Sequence, residues 1–118
     1  MKRVVVIDDE QTVLDVVNAV LTEMGYEVQT FSDPHEGEQS ALEQEFDLLL
    51  VDLRMPGKNG AEIAASVLTE KSDANVLVIT GYPGDPLARK ALDAGARGLV
   101  KKPFEIAKIL EYLEEKVI

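Results

Sequence analysis

Six residues carry the side chains most able to do chemistry, and they follow apolar runs. Asp8 and Asp9 follow Val4-Val5-Val6-Ile7, and Asp52 follows Leu48-Leu49-Leu50-Val51. Thr80 follows Val76-Leu77-Val78-Ile79, and Lys101-Lys102 follow Gly98-Leu99-Val100. Three carboxylates brought together repel one another and need a cation or protons to relieve the repulsion. A hard, oxygen-liganded ion meets that need. Mg²⁺ fits, because it takes one or two carboxylates, keeps waters and leaves positions for phosphate oxygens. A carboxylate is also a nucleophile towards phosphorus, giving an aspartyl-phosphate. Phosphoryl transfer requires in-line placement and neutralisation of the equatorial oxygens. A metal, a lysine and a hydroxyl divide that work between them.

These residues are far apart in sequence, so a fold must gather them. The apolar runs predict strands over Arg3–Ile7, Glu27–Phe31, Leu48–Val51, Val76–Ile79 and Gly98–Val100. Four are short and nearly continuously apolar, as in a parallel sheet covered on both faces. The second, Val28-Gln29-Thr30-Phe31, alternates and reads as an edge strand. Between them lie helical patterns. Val13, Val16, Val17, Val20, Leu21 and Met24 form a stripe stopped by Gly25. Ile106, Ile109, Leu110, Leu113 and Val117 form another, and weaker helices are expected over 34–45, 60–71 and 85–94. Asp33-Pro34 reads as an N-cap with a first-turn proline. Asn59-Gly60 precedes the third helix and Gly95 follows the fourth, while 81–86 is a Gly/Pro-rich loop expected to be mobile. Five strands alternating with five helices predict an α/β, (βα)₅ doubly wound parallel sheet. Ligands of such sheets bind beyond the carboxyl ends of the strands, which is where all six residues fall.

Composition narrows the function further. At 118 residues the chain is expected to form one domain. No apolar run approaches the ~20 residues that span a bilayer. The apolar stretch after Lys2-Arg3 stops at Asp8, short of the about 7–15 residues of a signal h-region. There is no cysteine, which excludes disulfides, thiolate metal sites and a cysteine nucleophile, and fits a cytoplasmic location. The net charge of −10 opposes direct binding to nucleic acid or anionic membrane. Tyr26, Phe31 and Phe46 are too few and scattered for a base-stacking platform.

Ordered motifs carry a resemblance over essentially the whole chain. They are Val5-Val6-Ile7-Asp8-Asp9-Glu10, then Asp47-Leu48-Leu49-Leu50-Val51-Asp52-Leu53-Arg54-Met55-Pro56 with Gly60. Further on come Val78-Ile79-Thr80-Gly81, Ala94-Gly95-Ala96 and Lys102-Pro103-Phe104. With these the chain resembles the receiver domains of bacterial response regulators. The resemblance implies a flavodoxin-like receiver fold of strand order 2-1-3-4-5 and a single receiver domain over residues 1–118. It implies that Asp52 is the phosphoacceptor. Asp9 would bind Mg²⁺ directly, Asp8 mainly through water, and the main-chain carbonyl of Arg54 would be a further ligand. Thr80 would hydrogen-bond the phosphoryl oxygens and Lys102 would pair with them, aimed by a cis Lys102-Pro103 bond. The donor would be a sensor histidine kinase or phosphotransfer domain. The output would be a further domain or effector protein reading the face of the fourth helix, fifth strand and fifth helix, with the chain monomeric or dimerising on phosphorylation. Such a protein is a phosphoacceptor that slowly dephosphorylates itself, rather than a multiple-turnover enzyme.

Other readings compete at particular residues. Asp8-Asp9 could cap the first helix, Asp52 could be a turn residue, and Thr80 could be an ordinary strand end. Lys101 reads as a solvated charge, since Lys102 has the register relative to Pro103, and His35 reads as exposed. A phosphatase of the haloacid dehalogenase type would need an acid/base aspartate two residues after the nucleophile, where this chain has Arg54. A flavodoxin is disfavoured by the acidic loop after the first strand, which repels a cofactor phosphate. The family's pattern is broken at Leu99, where many receivers carry the Tyr or Phe that moves with the hydroxyl residue. That break supports a phosphorylation-independent binding module as the alternative. Arg54 and Tyr82, two residues after Asp52 and Thr80, stand where the family tunes phosphoryl lifetime.

Overall fold

The computed structural model describes residues 2–102 and 105–114. Its elements run β1 (Arg3–Ile7), α1 (Gln11–Glu23), β2 (Glu27–Phe31), α2 (Pro34–Glu43) and β3 (Leu48–Asp52). They continue with α3 (Gly60–Glu70), β4 (Val76–Thr80), α4 (Pro86–Asp93), β5 (Gly98–Lys101) and α5 (Ile106–Glu114). All four strand pairings are parallel and the order is β2-β1-β3-β4-β5. The alternating second strand is therefore an edge, as its pattern predicts.

Every residue of β3 and β4 is buried, which explains their unbroken apolar runs. Successive side chains point to opposite faces, and this builds two cores. Val5, Ile7, Leu49, Val51, Val76 and Val78 pack with Ala41 of α2, Ile63, Ala64 and Val67 of α3, and Ala88 and Ala91 of α4. Val4, Val6, Leu48, Leu50, Leu77, Ile79 and Val100 pack with Leu14, Val17 and Leu21 of α1 and with Ile109 and Leu113 of α5. The chain's direction of winding reverses between β1 and β3. The crevice of a doubly wound sheet lies at that reversal.

Helix ends follow local chemistry. Asp33 caps α2 by accepting from the His35 main-chain N–H at 2.9 Å, with Pro34 in the first turn. Asn59 and Glu62 form a reciprocal capping box on α3, with bonds of 2.9 and 3.1 Å. Asp85 caps α4 through the Leu87 N–H at 2.9 Å. Gly25, at φ +97°, ends α1 in a conformation that L side chains rarely adopt. One expectation shifts. The buried arc of α1 is centred on Leu14, Val17 and Leu21, while Val16 and Met24 of the apolar stripe are 52% and 51% exposed. The stripe is wider than the surface it covers, so its outer members face solvent. Val17 lies at the centre of both, whereas Val117 of the last stripe lies outside the described residues.

Candidate functional site

The carboxyl ends of β1, β3, β4 and β5 meet at one rim. The ladder continues past the strands: the Asp8 N–H bonds Phe31 O at 3.1 Å, Leu53 N–H bonds Ile79 O at 3.1 Å, and Lys102 N–H bonds Thr80 O at 2.9 Å. These bonds fix the backbone from which the polar side chains project. The loop after β3 is also pressed onto the sheet. A Cβ on Gly60 would stand 2.2 Å from the Asp52 carbonyl oxygen, so only glycine permits α3 to begin there.

Lys102 is the centre of the cluster. Its Nζ lies 2.7 Å from Glu10 Oε1 and 3.3 Å from both Asp8 Oδ2 and Asp52 Oδ2. Asp8 is fully buried and Asp52 is 5% exposed, so two carboxylates have left water beside a lysine whose side chain is 21% exposed. Burial pushes Asp52 up to about 7, with the Asp8 charge adding to the shift, Lys102 opposing it and Asp9 adding a smaller repulsion. Burial likewise raises Asp8, partly offset by the Glu10 N–H, which donates to its Oδ1 at 2.9 Å, and by Lys102. Burial alone would lower Lys102, but the Glu10 hydrogen bond and the Asp52 and Asp8 charges hold it above its ordinary value. Glu10 is lowered by the hydrogen bond from Lys102.

Asp8, Asp52 and Lys102 are in direct contact, and Asp9 is exposed at the rim, near enough for its charge to act on Asp52. Thr80 is buried at the end of β4, but its hydroxyl turns to its own loop: it donates to Tyr82 O and accepts from Tyr82 N–H, both at 3.0 Å. Lys101, paired across from Thr80 in the sheet, is exposed. The Lys102-Pro103 bond lies outside the described residues. Helix capping is not the business of the acidic pair, since Glu10 occupies the N-cap of α1 and its side chain makes no cap bond.

Two features go beyond the sequence reading. Glu10, seen there only as part of a motif, joins Asp8 and Asp52 in a set of carboxylate oxygens lying within 4.8 Å of one another. Its position directly after the acidic pair was the available signal. Arg54 forms a bidentate ion pair with Asp85, Nε to Oδ2 at 2.8 Å and Nη2 to Oδ1 at 2.7 Å. No sequence signal links residues 31 apart in two loops. Leu99, beside Val78 in the sheet, is partly buried against the core on the α4 side.

The donor set suits a hard divalent ion. Asp8 Oδ2 is buried and has no hydrogen-bond partner among the described residues, its neighbour Lys102 lying close but without hydrogen-bonding geometry. An oxygen in that state gains from a cation that Lys102 alone does not satisfy.

Comparison with known proteins agrees with this architecture. The response regulator receiver domain model matches residues 4–114. The transcriptional regulatory protein FixJ of Bradyrhizobium diazoefficiens is 30% identical over 115 residues, covering 98% of this chain and 56% of FixJ. The chain spans about half the length of the curated relatives it matches. A CheY-like receiver domain protein from Methanospirillum hungatei superposes with a TM-score of 0.90 at 28% identity, covering 99% of this chain and 94% of that one. Response regulator TrrA of Thermotoga maritima, solved in complex with Mg²⁺ and BeF, gives 0.83 at 29% identity over 98% of both chains. On the strength of the matched model, this chain belongs to the response regulator receiver domain family.

Proposed function

We propose that the chain is a phosphorylation switch in which Asp52 accepts a phosphoryl group from a histidine kinase or phosphotransfer domain. The observation that carries this is the meeting of buried Asp8 and Asp52, each with an oxygen 3.3 Å from the Lys102 ammonium. A carboxylate oxygen of Asp52 forms the bond to phosphorus as the donor's phosphorus–nitrogen bond breaks. The departing imidazole keeps the electron pair and takes up a proton. Mg²⁺, held by Asp8, Asp9, Asp52 and the Arg54 main-chain carbonyl, supplies charge neutralisation for the carboxylates and the phosphoryl oxygens. Lys102 is already in place to pair with the new charge of about −1.5 to −2. Thr80 donates the remaining hydrogen bond after its hydroxyl leaves the Tyr82 main chain, which draws the loop after β4 inward.

The receiver unit is assigned to residues 1–118, working in the cytoplasm as a monomer or a phosphorylation-dependent dimer, with an output domain or effector reading α4, β5 and α5. A phosphatase is disfavoured because the position of its second aspartate is Arg54, whose side chain is committed to Asp85. Leu99 favours the alternative of a phosphorylation-independent module, since it cannot copy the motion of an aromatic ring.

Incubation with acetyl phosphate and Mg²⁺, followed by intact-mass and peptide mass spectrometry, tests the assignment. One added phosphoryl group on Asp52, absent from Asp52→Asn and abolished by EDTA, is the expected result. A protein that stays unmodified across pH and Mg²⁺ concentration overturns it.

A further inference from the structure

We propose that Arg54 is a positioning residue whose side chain latches the start of α4 through Asp85 and thereby holds the protein in its resting state. The consequence for switching rests on the phosphoacceptor assignment above, but the latch itself does not. Asp85 serves two elements with one carboxylate. Oδ1 accepts both the Leu87 N–H at 2.9 Å, which caps α4, and Arg54 Nη2 at 2.7 Å, while Oδ2 accepts Arg54 Nε at 2.8 Å. Asp85 is 7% exposed, whereas the Arg54 side chain is 66% exposed. The pair therefore joins a sequestered acceptor to a planar, bidentate donor, the geometry in which such pairs are strongest.

The contact closes a ring around the site. Arg54 stands two residues after Asp52 on the loop leaving β3. From Asp85 the ring continues through its main-chain N–H, which bonds Tyr82 O at 3.0 Å, the same oxygen that accepts the Thr80 hydroxyl. Thr80 then returns to the rim at the end of β4. Any inward move of the Thr80 loop must disturb the Tyr82 carbonyl, and with it the backbone that carries Asp85. Arg54 resists that move from across the crevice. The main-chain bonds at Tyr82 join Thr80 to the start of α4 along the chain, and the charged link adds a tie from the loop after β3 on the other side of the crevice. It acts as a bistable contact that occupancy of Asp52 must break.

Two variants separate the latch from plain helix capping. Arg54→Gln leaves the Asp85 cap intact, and Asp85→Asn keeps an N-capping oxygen while removing the charge. Hydrogen exchange of the unmodified proteins reads the latch directly, and titration with beryllofluoride and Mg²⁺ followed by ¹⁹F NMR reads its effect on switching. Each single variant is expected to speed exchange of the amides over 87–91 and to tighten beryllofluoride binding, both by about 5-fold, the low end for coupled sites. The double variant is expected to do no more than either single one. Unchanged exchange in Arg54→Gln, additive effects, or opposite signs for the two single variants would each overturn the proposal. If the wild-type protein takes no beryllofluoride, the phosphoacceptor assignment fails. The exchange arm then decides the latch alone, by the same non-additivity.

Discussion

Asp52 should make the folded protein less stable as pH rises, and the size of that effect follows from the site. The groups facing its carboxylate are Asp8, Asp9 and Glu10 from the end of β1 and Lys102 from the end of β5. Burial and the Asp8 charge move Asp52 from an ordinary value of 3.8 to about 7 in the folded state. Below pH 3.8 the carboxyl is protonated whether the chain is folded or not, and it contributes nothing. Between pH 3.8 and 7 the folded state holds a proton that the unfolded chain has released, so a penalty grows with pH; above 7 it is complete, at about 4 kcal/mol. Asp52→Asn keeps the shape and removes the ionisation. In EDTA, urea unfolding at pH 8 should show the variant more stable by about 2–4 kcal/mol, and the gain should shrink by about 2–3 kcal/mol at pH 5. A gain independent of pH, or a variant less stable than the wild type at pH 8, would refute the electrostatic account of this site.

Two further substitutions probe the groups around it. Lys102→Met removes the cation shared by Asp8 and Asp52, so unfolding in EDTA at pH 8 should show a loss of about 1–3 kcal/mol that diminishes at pH 5, where the carboxyls can hold protons instead. Gly60→Ala places a methyl group against the Asp52 carbonyl and should cost about 1–3 kcal/mol by the same assay, with the end of β3 and the start of α3 forced apart.

The fold was legible because its central strands are buried on both faces. An unbroken run such as Leu48–Val51 leaves little choice but a central parallel strand, and the alternation of Val28–Phe31 marks the edge. The site's location was legible for the same reason: polar residues directly after such runs must emerge at one end of the sheet. Side-chain direction was not. The α1 stripe contained more apolar residues than the sheet could cover, so periodicity did not locate its buried arc at Leu14, Val17 and Leu21. The Thr80 hydroxyl turns to Tyr82 because that residue's main-chain N–H and carbonyl stand two residues away, a local competitor that strand patterning does not register. The pairing of Arg54 with Asp85 depends on how two loops cross the same crevice, which no periodicity encodes.

The instability of the acidic rim and its suitability for a cation have one origin. A sheet whose central strands β1, β3 and β4 are almost wholly buried holds Asp8 and Asp52 close together without letting them spread apart. Were either carboxylate on a free loop, repulsion would separate them and water would solvate both. Held by the ladder bonds beyond β1 and β3, they retain the repulsion, and Lys102 offsets only part of it because Glu10 claims its shortest contact. The remaining imbalance is what a cation or a proton relieves. A site built this way resists its own resting state, so a ligand of opposite charge binds with energy already stored in the fold. The Arg54–Asp85 pair lies at the other side of the same crevice and opposes motion rather than charge. Relief of the first and release of the second are separable events, which is why removing the Asp52 charge should raise stability while removing the Arg54 charge should loosen α4.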